Sequence, residues 1–77
     1  MRKAREVLNE LRWREGRDLR KAEVWVRGRG ADEKGIGGDE ILDLGRRYFS
    51  TATATIPYYK IVRVVYDGET VFAREEK

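Results

Sequence analysis

Apolar residues recur at a helical interval near the start of the chain and at the two-residue interval of strands further on. Ala4, Val7, Leu8 and Leu11 fall at i, i+3, i+4 and i+7, which draws one apolar stripe along a helix covering about residues 2–13. Arg2, Arg5, Glu6, Asn9 and Arg12 occupy the polar side, and Trp13 is expected to close the last turn against the core. The polar run Arg14-Glu15-Gly16-Arg17-Asp18 ends the helix. Val24, Trp25 and Val26 then mark a strand over Ala22–Arg27, stopped by Gly28 and Gly30. Residues 28–38 hold five glycines and almost no apolar side chains, so this segment reads as a loop.

Ile41, Leu42 and Leu44 restore an apolar segment before Gly45. Residues 48–55 are rich in aromatic, β-branched and hydroxyl side chains and read as strand, either one run or a hairpin bending near Thr53. Residues 61–66 and 70–73 flank Asp67-Gly68, the signature of two strands joined by a type I′ turn. Together these elements predict an α+β fold, with one N-terminal helix packed on a curved antiparallel sheet of about five strands. Residues 1–77 are too few for a second domain and read as a single one. Trp13, Trp25, Tyr48, Phe49 and Tyr66 are assigned to its core, because a chain this short needs its largest apolar side chains inside. Arg74-Glu75-Glu76-Lys77 is expected to fray.

Composition narrows the chemistry. The chain has no cysteine and no histidine, which removes disulfides, thiol nucleophiles, thiolate metal sites and the commonest general base. No apolar run approaches the roughly 20 residues of a membrane span, and the N-terminus lacks the apolar block of a signal peptide, so a soluble cytoplasmic protein is expected. Charged residues make up 40% of the chain, glutamine is absent and Asn9 is the one asparagine, a mix that agrees with growth at high temperature. The net charge of +3 is unevenly spread. Residues 1–29 carry ten Lys or Arg against five acids, whereas residues 30–45 carry Lys34 against Asp32, Glu33, Asp39, Glu40 and Asp43. A basic end of this kind favours a polyanionic partner.

Nucleotide-binding loops fail on inspection. Gly30 and Gly35 have P-loop spacing, but Ile36 and Gly37 stand where a lysine and a hydroxyl must hold phosphate and magnesium. Glu33 replaces the third glycine of a dinucleotide-binding turn after Gly28 and Gly30. Ser50 or a threonine would lack a histidine to deprotonate it, so no catalytic residue is assigned and a non-enzymatic role is expected. Asp39, Glu40 and Asp43 match no calcium-loop spacing and read as a solvated acidic turn; no metal or other cofactor is expected.

Two basic segments stand out. In Arg27-Gly28-Arg29-Gly30-Ala31 the guanidinium groups and glycine amides suit phosphate contact, although a solvated strand end would look the same. In Ile56-Pro57-Tyr58-Tyr59-Lys60-Ile61 the proline fixes φ and cannot donate to a sheet ladder, so the segment should enter a strand from an edge with Tyr58, Tyr59 and Lys60 in fixed order. That arrangement presents rings and a charge to a ligand, or else begins a core strand. Arg46-Arg47 leads into Tyr48-Phe49, and alternation turns Arg63 to solvent between Val62 and Val64. A sheet face carrying arginine and tyrosine is a platform for unpaired bases.

Taken in order, these pieces resemble the archaeal RNA cyclic group end recognition domain family, also called an RNA repair domain. The resemblance spans nearly the whole chain. It rests on Val7-Leu8-Asn9-Glu10-Leu11-Arg12-Trp13, on the hydrophobic strand running into Arg29-Gly30-Ala31, on Gly38-Asp39-Glu40-Ile41, and on the proline segment with its closing Asp67-Gly68 hairpin. It implies a non-catalytic module binding single-stranded RNA or RNA 3′ ends, with a 2′,3′-cyclic phosphate as the terminus, alongside an RNA-processing protein partner. The resemblance assigns RNA or phosphate binding to Arg27, Gly28, Arg29, Gly30, Tyr58, Tyr59 and Lys60. Members typically carry one histidine just before the Arg-Gly pair and another in the proline segment; here Gly28 and Tyr59 stand at those positions. Tyr59 is therefore either a replacement ligand or the mark of a lost one. A protein-interaction adaptor is the alternative expectation, and RNA phosphoesterase chemistry a weaker one.

Overall fold

The computed structural model describes residues 3–28, 30 and 32–74. Helix α1 runs over Ala4–Trp13, and a 3₁₀ turn over Leu19–Lys21 leads into strand β1, Ala22–Arg27. Strand β2 (Glu33–Gly37), a 3₁₀ turn (Gly38–Glu40) and strands β3 (Ile41–Leu44), β4 (Tyr48–Thr51) and β5 (Thr55–Pro57) follow. A third 3₁₀ turn, Tyr58–Lys60, connects to the hairpin of β6 (Ile61–Tyr66) and β7 (Glu69–Ala73). All strand pairings are antiparallel, in a four-stranded sheet ordered β2-β1-β6-β7 and a three-stranded sheet ordered β3-β4-β5.

The α+β class with one N-terminal helix is as the sequence predicts, but there are seven strands in two sheets rather than about five in one. One extra strand comes from the hairpin of β4 and β5, and the other is β2, inside the segment read as a loop. Its glycines hide it: Ile36 alone turns inward, opposite Val24, while Gly35 lies beneath the ring of Trp25. A Cβ at Gly35 would stand 3.1 Å from that ring, so the tryptophan supplies the packing that the strand's own side chains lack. The split into two sheets comes from the proline segment. Pro57 ends edge strand β5, and Tyr58, Tyr59 and Lys60 form the 3₁₀ turn that carries the chain to β6, rather than lying within a strand.

The helical stripe packs as its spacing requires: Ala4, Val7, Leu8 and Leu11 are all buried. Leu8, Val24, Phe49, Ile61 and Val64 are the largest fully buried side chains, drawn from the helix and both sheets, and each contributes roughly 1.5–3 kcal/mol by leaving water. A bulge opposite Trp25 and Val26 passes over Val62, so Ile61 and Val64 both turn into the core. Asp67 and Gly68 have φ of 52° and 80°, the two left-handed residues of a type I′ turn. The hairpin in residues 48–55 also forms, with Thr51 Oγ1 accepting from the amides of Thr53 and Ala54 at its bend. Gly38 permits the closest approach in the fold, since a Cβ there would meet the carbonyl oxygen of Leu19 at 1.8 Å.

Phe49 and Tyr66 are buried as expected, but three other aromatic assignments are corrected. Trp13 is 74% exposed, because nine helical steps from Ala4 turn it to the side opposite the stripe. Tyr48 is about half exposed, as strand alternation demands once Phe49 points inward. Trp25 is half-buried on the outer face of β1, between the inward Val24 and Val26. The expected fraying also fails at Arg74, whose amide donates to Val62 O and whose Nε donates to Ile61 O. Residues 75–77, like Arg2 at the expected start of the helix, lie outside the described residues.

Candidate nucleic-acid interface

Four separated segments meet at one end of the four-stranded sheet and enclose an open groove of about 830 Å³. The start of α1 brings Lys3 and Arg5, and the bend before β4 brings Arg46, Arg47 and Tyr48. The end of β5 brings Pro57, Tyr58 and Tyr59, and the end of β7 brings Phe72 and Arg74. Among the described residues, five cationic side chains line the groove and no carboxylate does. Lys3 is also the N-cap of α1 and makes no side-chain capping bond, so the positive end of the helix opens at the same place.

Hydrogen bonds hold the walls in register. β4 and β5 pair with Tyr48 opposite Pro57, and continuing that register by one residue sets Arg47 against Tyr58, whose amide donates to Arg47 O at 3.1 Å. The Tyr58 hydroxyl donates to Gly45 O at 2.8 Å, and its ring is buried 5.9 Å from that of Phe49. Burial pushes the Tyr58 hydroxyl pKa up; Asp43 adds to this, while Arg5 and Arg12 oppose it. Tyr58 is therefore a neutral structural donor. On the other wall, Arg74 bonds Ile61 O at 3.1 Å and Tyr58 O at 3.5 Å, fastening β7 to the turn.

The rim is aromatic. Tyr48 and Tyr59 stand exposed beside the cations, 49% and 70% respectively. Such an arrangement attracts a phosphate through fixed positive charge and offers ring faces to a base.

Of the residues singled out from sequence, Tyr58 and Tyr59 line this groove. Lys60 follows them in the same turn but does not line it. Arg27 ends β1, and Gly28 closes the β1–β2 loop with its amide donating to Asp32 O at 2.7 Å. Gly30 has a left-handed φ of 65° in that loop, and Arg29 lies outside the described residues. The loop and the Tyr58–Lys60 turn share one end of the sheet, because Val26 pairs with Ile61. Lys3, Arg5 and Arg74 are the groove residues that sequence reasoning assigned no role. Arg74 was countable from the Asp67-Gly68 turn, which sets it beside the first residues of β6. Lys3 and Arg5 carried no such signal, since only the tertiary seating of α1 brings them here.

The acidic turn is occupied with its own backbone: Glu40 accepts the amide of Gly37 at 2.8 Å. Among the described residues no cluster of acidic side chains could hold a metal ion, and no helix is long and apolar enough to cross a membrane.

Fold and site together define a small α+β protein with a cationic, tyrosine-rimmed groove at the end of its larger sheet. The family model described as the MJ1316 RNA cyclic group end recognition domain matches residues 1–74, and the chain belongs to that family. No curated protein and no solved structure matches it.

Proposed function

We propose that this chain is a non-catalytic module that binds the 3′ end of single-stranded RNA in the groove, with a 2′,3′-cyclic phosphate as its preferred terminus. The observation that carries this reading is the convergence of Lys3, Arg5, Arg46, Arg47 and Arg74 around one groove, with no carboxylate among its described lining residues. A terminal cyclic phosphate is a compact monoanion, and arginine forks beside a helix N-terminus suit it. Tyr59 stacks on the terminal base and offers a hydroxyl donor where other family members are expected to carry a histidine. Lys60 and Arg27 extend the positive field along the same end of the sheet. Membership of a family named for recognition of RNA cyclic group ends supports the choice of ligand.

The non-catalytic half of the reading rests on what the groove offers. Among the described residues its lining has no carboxylate, the chain has no imidazole, and the Tyr58 hydroxyl is held by Gly45. Proton transfer to or from a ribose oxygen would thus lack the carboxylate or imidazole that most often serves as acid or base. In this role the module serves RNA processing or repair in the cytoplasm, and a partner protein supplies the chemistry.

Titration of labelled RNAs ending in 2′,3′-cyclic phosphate, 3′-phosphate or 3′-hydroxyl, at several salt concentrations, tests it. Affinity should fall as salt rises and should be highest for the cyclic end. Negligible binding to all three removes the RNA reading; equal binding removes end recognition; a cleaved or opened product on a gel removes the non-catalytic claim.

A further inference from the structure

Trp13 is the most exposed of the large apolar side chains among the described residues, at 74%, although it is one of only two tryptophans in a chain with a small core. A single exposed ring is ordinary on a protein surface; what marks this one is its size and its neighbour. The ring is already half of a pair: the guanidinium carbon of Arg12 lies 5.1 Å from its centroid. A ring and a guanidinium stacked in this way present one flat, positively charged surface.

The location of that surface matters. Arg5, Asn9 and Arg12 follow one another at i, i+4 and i+7, so they form a single line along the solvent side of α1. Arg5 is in the wall of the groove, and Trp13 is beside the far end of the line. Eight residues at a rise of about 1.5 Å separate the two by about 12 Å, beyond the reach of one nucleotide but within that of a short extended strand. Past Trp13 the positive line continues. Arg12 and Arg17 line a smaller hollow beneath the end of the helix, whose one carboxylate, Asp18, is already bidentate to Arg20 at 3.1 Å.

We infer that Trp13, stacked on Arg12, is a base-stacking platform for RNA lying 5′ of the terminus held in the groove, with Arg5 and Arg12 meeting the intervening phosphates. This inference rests on the RNA-end reading and adds a direction and a minimum length to it. The groove takes the end, α1 guides the strand, and the tryptophan takes a base upstream. Ring stacking is tolerant of base identity, so the platform contributes affinity for RNA length rather than sequence.

Two ligands separate this inference from the reading beneath it: a mononucleoside 2′,3′-cyclic phosphate, which fills the groove alone, and a hexanucleotide with the same terminus. The hexanucleotide should bind more tightly and quench Trp13 fluorescence in a Trp25→Phe background, whereas the mononucleotide should leave that emission unchanged. Trp13→Ala should weaken hexanucleotide binding about tenfold, and Trp13→Phe should restore most of the loss. If the hexanucleotide binds Trp13→Ala as tightly as the unaltered chain, the platform is overturned while the groove stands. If neither ligand binds the unaltered chain, both are overturned. Should Trp25→Phe not fold, the difference in quenching between the unaltered chain and Trp13→Phe gives the same readout.

Discussion

Apart from Arg12 and Trp13 on α1, the outer face of the larger sheet and the groove both set arginine near an exposed or half-exposed aromatic ring, and they differ in what answers the charge. On the outer face of the four-stranded sheet, Arg63 sits 5.2 Å from the centroid of Trp25 and 3.5 Å from Glu33, while the same ring covers Gly35. Each group there has a partner within the fold. In the groove, Lys3, Arg5, Arg46 and Arg47 have no carboxylate beside them among the lining residues, and Tyr48 and Tyr59 face water. The first surface is internally neutralised and stabilises β2 against β1. The second has no carboxylate among its described lining residues, which is what the RNA-binding proposal uses. Arginine and aromatic content alone would rank the two alike; the position of carboxylates separates them.

The largest effect should come from the groove. Arg46→Ala with Arg47→Ala is expected to lower RNA affinity by about 10- to 100-fold at low salt and to flatten the salt dependence by about 1.4 in log–log slope, two phosphate contacts' worth on a single strand. Arg63→Ala, which removes a half-buried guanidinium from the other surface, should change RNA affinity less than about twofold and stability by less than about 1 kcal/mol. A parallel titration of the two variants reads both outcomes, and a loss of binding in Arg63→Ala comparable to that of the groove pair would collapse the distinction.

The reverse substitution probes the sheet face. Trp25→Ala should cost about 1–3 kcal/mol in denaturant unfolding, because it uncovers Gly35 and leaves Arg63 and the β1–β2 pairing without their cover. RNA affinity measured well below the transition should stay within about twofold.

Tyr58→Phe carries the smallest effect and asks how firmly the groove wall is fixed. Loss of the bond to Gly45 should cost about 1 kcal/mol. The hydroxyl's pKa is raised by folding, whereas an unfolded tyrosine ionises near 10. The stability it contributes is therefore fully present below about pH 10 and is lost as pH rises through the folded value, as the unfolded chain releases its proton first. Unfolding curves across the alkaline range should show this decline in the unaltered chain and a smaller one in Tyr58→Phe.

How much of this was legible in the sequence depended on how local the cause was. The stripe of Ala4, Val7, Leu8 and Leu11 and the Asp67-Gly68 turn are set by neighbours, and both are present. Trp13 departs from the expected core because its helical angle, opposite the stripe of Ala4, Val7, Leu8 and Leu11, outweighs the demand of a small chain for large buried side chains. β2 was hidden because its packing comes from Trp25 across the sheet, not from its own side chains. Tyr58 and Tyr59 of the proline segment line the groove, but the segment's role as the link between two sheets depends on both neighbouring hairpins. Part of the groove follows from hairpin pairing: Arg47 lies beside Tyr58, and counting from Asp67-Gly68 sets Arg74 opposite Ile61, which a bulge between Val64 and Val65 moves one residue on to Val62. The rest requires knowing where α1 sits on the sheets, and no spacing in the sequence encodes that.

The central claim, that RNA occupies the groove and not the sheet face, is tested most directly by mapping backbone amide chemical shifts as a short RNA ending in 2′,3′-cyclic phosphate is added. Shifts are predicted at Arg5, Arg46, Arg47, Tyr48, Tyr59 and Arg74, with Trp25, Glu33, Gly35 and Arg63 unmoved. Shifts concentrated on the latter four, or on neither group, would contradict it.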